Sequence, residues 1–319
     1  MRIRIVCLLL GLLSSAAHAQ VSRVWVSDNG NGTYKNPIIH ADYSDLDVIR
    51  VGEDYYLVAS SFDAVPGLPI LHSRDLVNWT IVGHALLRQP PYDHFSKGEP
   101  VMGYKKPATG AAQSIATPQE SDEFDSVQLG LQWQWQANPQ ATWCMLNPAA
   151  GTLWLFSAKV PDTARNLWDV PNLLLQKFPA EAFTATTRLK LLANPKVEEE
   201  KAGLVIVGMS YGYIAEESRS GALQLVYASC EKADKGAPET ATVITSLQQP
   251  EVYLRVSVMA GAKYRFSYSL DGRKFVETGE VMTAEPGRWI GAEVGLFCTR
   301  SAQTNDAGHV EVDWFRVGQ

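Results

Sequence analysis

Cysteine is scarce, with four in 319 residues, and the four stand too far apart to suggest a zinc or iron–sulfur spacing. Basic residues are outnumbered, 28 Lys and Arg against 34 Asp and Glu, for a net charge of −6. No basic stripe is available to neutralise phosphates, which argues against a nucleic-acid partner. No apolar run after Leu13 is long enough to cross a bilayer, so the reading holds no membrane span. Internal repeats of fixed period are missing as well. Charged residues reach only 19% against 46% apolar, which excludes disorder, collagen and coiled coil and leaves ordinary core-forming material. The 24 Gly, 17 Pro, 9 Trp and 12 Tyr favour short strands and turns over long helices.

Met1–Ala19 places Arg2 and Arg4 before the apolar stretch Ile5–Leu13, then Ala17-His18-Ala19. A charged start, a short apolar run and a small-x-small site predict a secretory signal peptide, and with it an exported, periplasmic or extracellular protein. Its removal takes two arginines and Cys7 away, so the net charge becomes −8 and Cys144, Cys230 and Cys298 remain. Three thiols allow at most one internal disulfide.

The rest divides into four stretches: a polar, Gly/Asn-rich, flexible lead-in at 20–35, a strand-rich segment at 36–97, a linker at 98–120 and a β-patterned region at 121–319. In the second stretch, Asp47–Val51, Tyr55–Ser60, Leu68–Ser73 and Trp79–Val82 read as four short strands around tight turns, the size of one propeller blade. In the last, Leu131–Trp135, Leu223–Tyr227, Val252–Val258 and Val310–Val317 alternate apolar and polar residues. Asp271-Gly272 between Lys263–Leu270 and Arg273–Val281 predicts a tight hairpin. Strands at this spacing over some 200 residues predict an antiparallel sandwich.

Three acids, Asp42, Asp45 and Asp47, precede the first blade strand. Carboxylates at a sheet end can act as general bases, although most such clusters are solvated turns. Asn36-Pro-Ile-Ile-His40-Ala-Asp42-Tyr-Ser-Asp45-Leu-Asp47-Val-Ile-Arg50, with Pro66–Trp79 behind it, resembles the opening blade of glycoside hydrolase family 43, the β-xylosidase and α-L-arabinofuranosidase family. The resemblance implies an inverting hydrolase of O-glycosyl bonds in xylan- or arabinan-type oligosaccharides of plant cell walls, built on a five-bladed propeller. Asp45 then stands as the general base and Phe62 as an aromatic near the sugar, a place in the blade core being the alternative for Phe62. It leaves Asp42 and Asp47 as turn and strand-edge acids and His40 as a structural hydrogen-bonding residue. Leu46 departs from the proline usual in the family.

After Arg88–Ser96 the chain passes at once to Gly98–Pro107, which resembles the exit from the last blade. The resemblance therefore implies a remnant of about one blade, with blades two to five deleted. No segment supplies the general acid, and neither Glu99 nor Glu120 can be promoted to it. Little or no catalysis is expected; the alternative is an exported, lectin-like binding module.

Thr117–Trp135, Pro179–Thr187 and Asp313-Trp314-Phe315 resemble the concanavalin-A-like β-sandwich that follows many such propellers. The fold expected is thus all-β. In relatives a structural calcium ion often ties the first and last strands, and Glu123, Asp313 and the carbonyl of Gly151 are oxygen ligands of the right type, solvated edge acids being the alternative. No organic cofactor is implied, and the oligomeric state is open. Trp133, Trp135, Trp143, Trp154 and Trp168 are either core residues or sugar platforms, core being commoner. Tyr211 and Tyr213 suit a sheet face.

Overall fold

A computed structural model describes residues 21–62, 64–88 and 116–319. The signal peptide, the stretch from Gln89 to Ser96, Gly98–Pro107 and Glu99 lie outside the described residues.

The first sheet is β1 (Ser44–Val51), β2 (Asp54–Ser60), β3 (Gly67–Ser73) and β4 (Thr80–Leu86), antiparallel in that order. Leu57, Ala59, Leu71 and Ile81 share one face, and with Trp79 they form a small core covered by Ile38, Ile39 and Tyr43 of the incoming segment. Among the described residues β1 is an edge strand, exposed along nearly its whole length. The stretch read as a flexible lead-in is tied in place here: Lys35 N–H bonds Ser27 O at 2.9 Å, and Asn78 Nδ2 donates to Asp28 Oδ2 at 2.8 Å. Asn78 Oδ1 accepts from Ala116 N at 3.1 Å, pinning the far end of the connection to the same corner.

The remaining strands are β5 (Gln134–Trp135), β6 (Cys144–Asn147), β7 (Thr152–Phe156), β8 (Ala158–Lys159), β9 (Leu174–Lys177), β10 (Phe183–Leu192), β11 (Glu200–Val207), β12 (Tyr211–Arg219), β13 (Ala222–Cys230), β14 (Thr240–Leu247), β15 (Glu251–Met259), β16 (Lys263–Ser269), β17 (Val276–Thr283), β18 (Glu293–Arg300) and β19 (His309–Gly318). They make two facing sheets. One runs β17-β16-β15-β10-β19-β7-β6; the other runs β14-β13-β12-β11-β18-β9-β5, with β8 paired to β18. The first follows simple alternation: Val252, Leu254, Val256 and Val258 point inward while Tyr253, Arg255 and Ser257 point out.

The second sheet is covered on both faces. Ala202, Leu204, Ile206, Ile214 and Leu296 fill the space between sheets, and Val205, Tyr211, Tyr213, Ala215 and Phe297 pack beneath the loops carrying Leu167, Val170 and Ala233. That double cover explains why β12 is buried at every position but its last. Tyr211 and Tyr213 do sit on a sheet face, under this cover.

Two local expectations differ. Leu131–Trp135 is mostly turn, with only Gln134 and Trp135 in strand, because Gln132, Trp133, Gln134 and Trp135 are all buried and the alternation does not separate two faces. Asp271-Gly272 lies in a wider loop, since Tyr268 pairs with Val276. There the Asp271 carboxylate accepts from the N–H groups of Arg273 and Lys274 at 2.8 and 2.9 Å. Cys144, Cys230 and Cys298 are all free thiols.

Candidate functional site

At the sugar-facing end expected of the blade, Ser44 of β1 pairs with Ser60 of β2, after which the register slips until Asp47 meets Val58. Asp45 and Leu46 occupy that bulge, a device that re-aims side chains at sheet rims. Asp45 has φ 51°, a left-handed conformation that Asp tolerates better than most residues, and Ser44 Oγ lies 3.4 Å from its Oδ2. Phe62 follows directly after β2 with φ 48°, rare for an aromatic side chain. The Ser44–Ser60 pair therefore brings Asp45 and Phe62 to one rim. Asp47 is exposed on the edge strand. His40 packs edge-on against Trp25 with ring centroids 5.1 Å apart.

The sandwich meets this rim. Val65 and Trp135 exchange backbone hydrogen bonds of 3.0 and 2.6 Å, and Gln134 Nε2 donates to Ser61 Oγ at 3.3 Å. Lys177 Nζ stands 5.4 Å from the Tyr43 ring centre. Burial lowers the Lys177 ammonium below its usual range, and burial together with Lys177 depresses the nearby His84 to about 4.

The loop before β18, Glu285–Gly291, is wedged between two contacts. Asp42 accepts a hydrogen bond from Gly291 N–H on one side. On the other, Gly208 comes so close to the Glu285 carbonyl that a Cβ would lie 1.8 Å from its oxygen. The wedge presents Arg288 and Trp289, the latter 75% exposed with φ 68°.

Phe62, Trp168, Arg288, Trp289 and Glu293 line a cleft of about 420 Å³, within the usual size of small-ligand sites. Three aromatics, a guanidinium and a wall carboxyl suit a sugar ring: faces for stacking, donors and an acceptor for hydroxyls. Trp289, Arg288 and the role of Trp168 escaped the sequence reading. The available signal was a tryptophan outside any alternating run, bracketed by Gly287 and Gly291. Of the five tryptophans singled out, Trp133, Trp135 and Trp143 are buried core, while Trp154 and Trp168 are only half-buried.

The residues proposed for calcium do not fit a cage. Both oxygens of Glu123 are held by Arg316 at 2.7 Å, and Asp313 is paired with Arg188 at 2.6 Å, so each carboxylate already has a cation. Gly151 does approach Glu123, its would-be Cβ lying 3.7 Å from the Glu123 carbonyl. Among the described residues no group of three His, Cys, Asp or Glu side chains could hold a metal. The first and last segments are tied where Asp122 and Phe315 exchange backbone hydrogen bonds of 2.8 Å.

Comparison with known proteins agrees with this architecture. The profile of the beta xylosidase C-terminal concanavalin A-like domain matches residues 121–318, well over half of the chain, and that of glycosyl hydrolases family 43 matches 34–100. A beta-xylosidase of Formosa agariphila is 28% identical over 255 residues, 74% of this chain and 40% of the relative. A non-reducing end alpha-L-arabinofuranosidase of Bacteroides ovatus is 46% identical over 71 residues, 22% of this chain and 12% of the relative. The chain thus spans well under half the length of these two relatives. The crystal structure of xylan beta-1,4-xylosidase from Bacillus halodurans superposes with a TM-score of 0.67 at 14% identity, covering 89% of this chain and 100% of that one, a likeness of fold alone. The chain belongs to glycoside hydrolase family 43, carrying the family's C-terminal concanavalin A-like sandwich behind only part of its propeller.

Proposed function

We propose that this chain is a truncated family 43 glycosidase directed at xylan- or arabinan-type oligosaccharides, exported to the periplasm or medium, with Asp45 in the place of an inverting general base and little or no hydrolysis. Loss of propeller blades two to five, and the general acid with them, accounts for the impairment. An inverting site needs two carboxyls roughly 6.5–9.5 Å apart with a water between base and sugar. The observation that carries the reading is the rim as the described residues form it: Asp45 stands exposed on β1, and among those residues the carboxyl lining the adjoining cleft, Glu293, belongs to a sandwich strand. Without an acid to protonate the leaving oxygen, a factor of about 10²–10⁴ is forgone, and missing walls forgo substrate positioning as well.

A second reading has its own support. The cleft framed by Phe62 and Trp289 offers stacking surface and hydrogen-bonding groups independent of any catalytic pair, which suits an exported carbohydrate-binding module. Hydrolysis of an activated aryl β-xyloside, which departs without acid assistance, tests the two, using the chain beside its Asp45→Asn variant. A slow rate that falls in the variant supports the impaired enzyme. A rate typical of full glycosidases overturns the impairment. No rate above the variant's leaves the binding module.

A further inference from the structure

The loop end of the sandwich opens into another concavity, of about 640 Å³, lined by neither the blade nor the cleft beside Phe62. Its walls come from residues 140–143, 156–161, 171–172 and 300–307. Trp143 and Phe156 give it aromatic surface, and Thr142, Gln303 and Asn305 give it neutral donors and acceptors.

Asn172 is the telling residue. It is 3% exposed, its Nδ2 donates to the Cys298 carbonyl at 2.8 Å, and its buried Oδ1 has no partner among the described residues. A buried amide oxygen in a pocket wall is an acceptor awaiting a donor.

The walls are held before any ligand arrives. Glu200, fully buried, accepts hydrogen bonds from Ser157 Oγ, from Gly308 N–H at 2.7 Å and from Asn194 N–H at 2.5 Å, so one carboxylate fixes two sides of the pocket. Asn194 Nδ2 in turn donates to Asp306 O at 2.6 Å. Arg300 Nε and Nη2 donate to the Ala302 and Thr304 carbonyls at 3.0 and 3.3 Å, shaping the rim. Lys159 is paired with Asp162 at 2.5 Å. Beside Arg300, Lys159 and Asp306, the pocket offers amides, hydroxyls and ring faces, the complement of a hydroxyl-rich molecule. Pre-organised walls of this kind reduce the ordering cost of binding.

We propose that this pocket is a second, non-catalytic saccharide site holding a short pentose oligosaccharide, with Asn172 Oδ1 accepting from a sugar hydroxyl directly or through one water. The choice of pentose rests on the function proposed above; the site itself rests on the pocket.

The test is a titration of the ¹⁵N-labelled full chain with xylotriose and, separately, arabinotriose to millimolar concentration, followed by amide shifts. Saturable shifts at 142, 172 and 304–307 are expected with at least one of them. Asn172→Asp, and separately Gln303→Ala with Asn305→Ala on the exposed rim, should weaken these by about tenfold. Trp289→Ala should leave them unchanged while removing any at 287–291. Shifts confined to 287–291 overturn the second site and leave the proposed function standing. Shifts at neither place overturn both. Shifts at 304–307 that ignore both pocket variants also overturn the assignment.

Discussion

The carboxylate of Asp42, in the segment entering the blade, accepts a hydrogen bond from the backbone N–H of Gly291, 249 residues later in the sandwich. A Cβ on Gly291 would lie 3.1 Å from both Cβ and Oδ2 of Asp42, so the two chains meet with no slack. This contact sets where Trp289 stands relative to Phe62. Asp42→Ala should free the loop: acrylamide quenching of Trp289, read against a Trp289→Phe background, should rise, and sugar binding in the cleft should fall about tenfold, the loss of one hydrogen bond to a charged group. Unchanged quenching would show that Gly208 and Glu285 hold the loop alone.

His84 gives the blade–sandwich seam a pH dependence of definite sign. Burial and Lys177 hold its folded pKa down at about 4, against 6.5 for the free group. The unfolded chain takes up a proton as pH falls below 6.5 while the folded chain resists until about 4. Stability from this residue is therefore full above 6.5 and is lost on acidification through that window. His84→Gln should flatten thermal midpoints between pH 7 and 4; an unaltered slope would sink the assignment.

Glu216 acts in the opposite sense. It is fully buried between the sheets, where Oε2 accepts from Leu191 N–H at 2.6 Å, and burial raises its pKa well above the ordinary 4.5. The folded chain keeps this proton as pH rises through 4.5 while the unfolded chain releases it, so stability falls with rising pH. Glu216→Gln, which keeps shape and removes the titration, should raise the midpoint at pH 7 and leave it unchanged at pH 4. Denaturant titrations at the two pH values decide it.

The edge of β1 is a predicted association site. Ile49 is 63% exposed on a strand with no neighbour on one side among the described residues, and Leu46 and Val48 are exposed beside it. Unpaired apolar edges recruit other strands. Ile49→Lys should lower light scattering of concentrated solutions while changing stability by no more than about 0.5 kcal/mol, as for an ordinary surface position. Scattering that persists would place the sticky surface elsewhere.

Much of the fold was readable because period and burial coincide. Val252–Val258 alternates in sequence and alternates in space, and the four blade strands lie where their turns predicted. Reading failed where burial was two-sided or the turn was not local. Gln132 and Gln134 look like solvent-facing residues beside Trp133 and Trp135, yet all four are buried, Trp133 in the sandwich core and Gln134 and Trp135 bonded to the blade, a tertiary fact invisible to a period of two. The candidate site was half legible. Asp45 and Phe62 lie near the Ser44–Ser60 end of one strand pair, whereas Trp289 joins Phe62 in the cleft from over two hundred residues away, on a loop held by Asp42 and Gly208. Glu123 and Asp313 had the right chemistry for calcium, but the arginines that claim them, Arg316 and Arg188, sit on strands whose pairing the sequence did not disclose.

The three free thiols have a practical consequence for handling the protein. Cys230 and Cys298 lie on β13 and β18, three strands apart in one sheet, roughly 14 Å at ordinary strand spacing, and Cys144 belongs to the other sheet. Nothing in this fold waits on an oxidant. The chain should reach the same structure in a reducing cytosol as in an oxidising exterior, and its sulfhydryls become built-in reporters. Burial holds Cys144 up at about 11 and raises Cys230 and Cys298 as well, so all three stay protonated and slow toward alkylating reagents until the sheets part. Counting labelled thiols against time would then report the opening of each sheet separately, without any engineered cysteine.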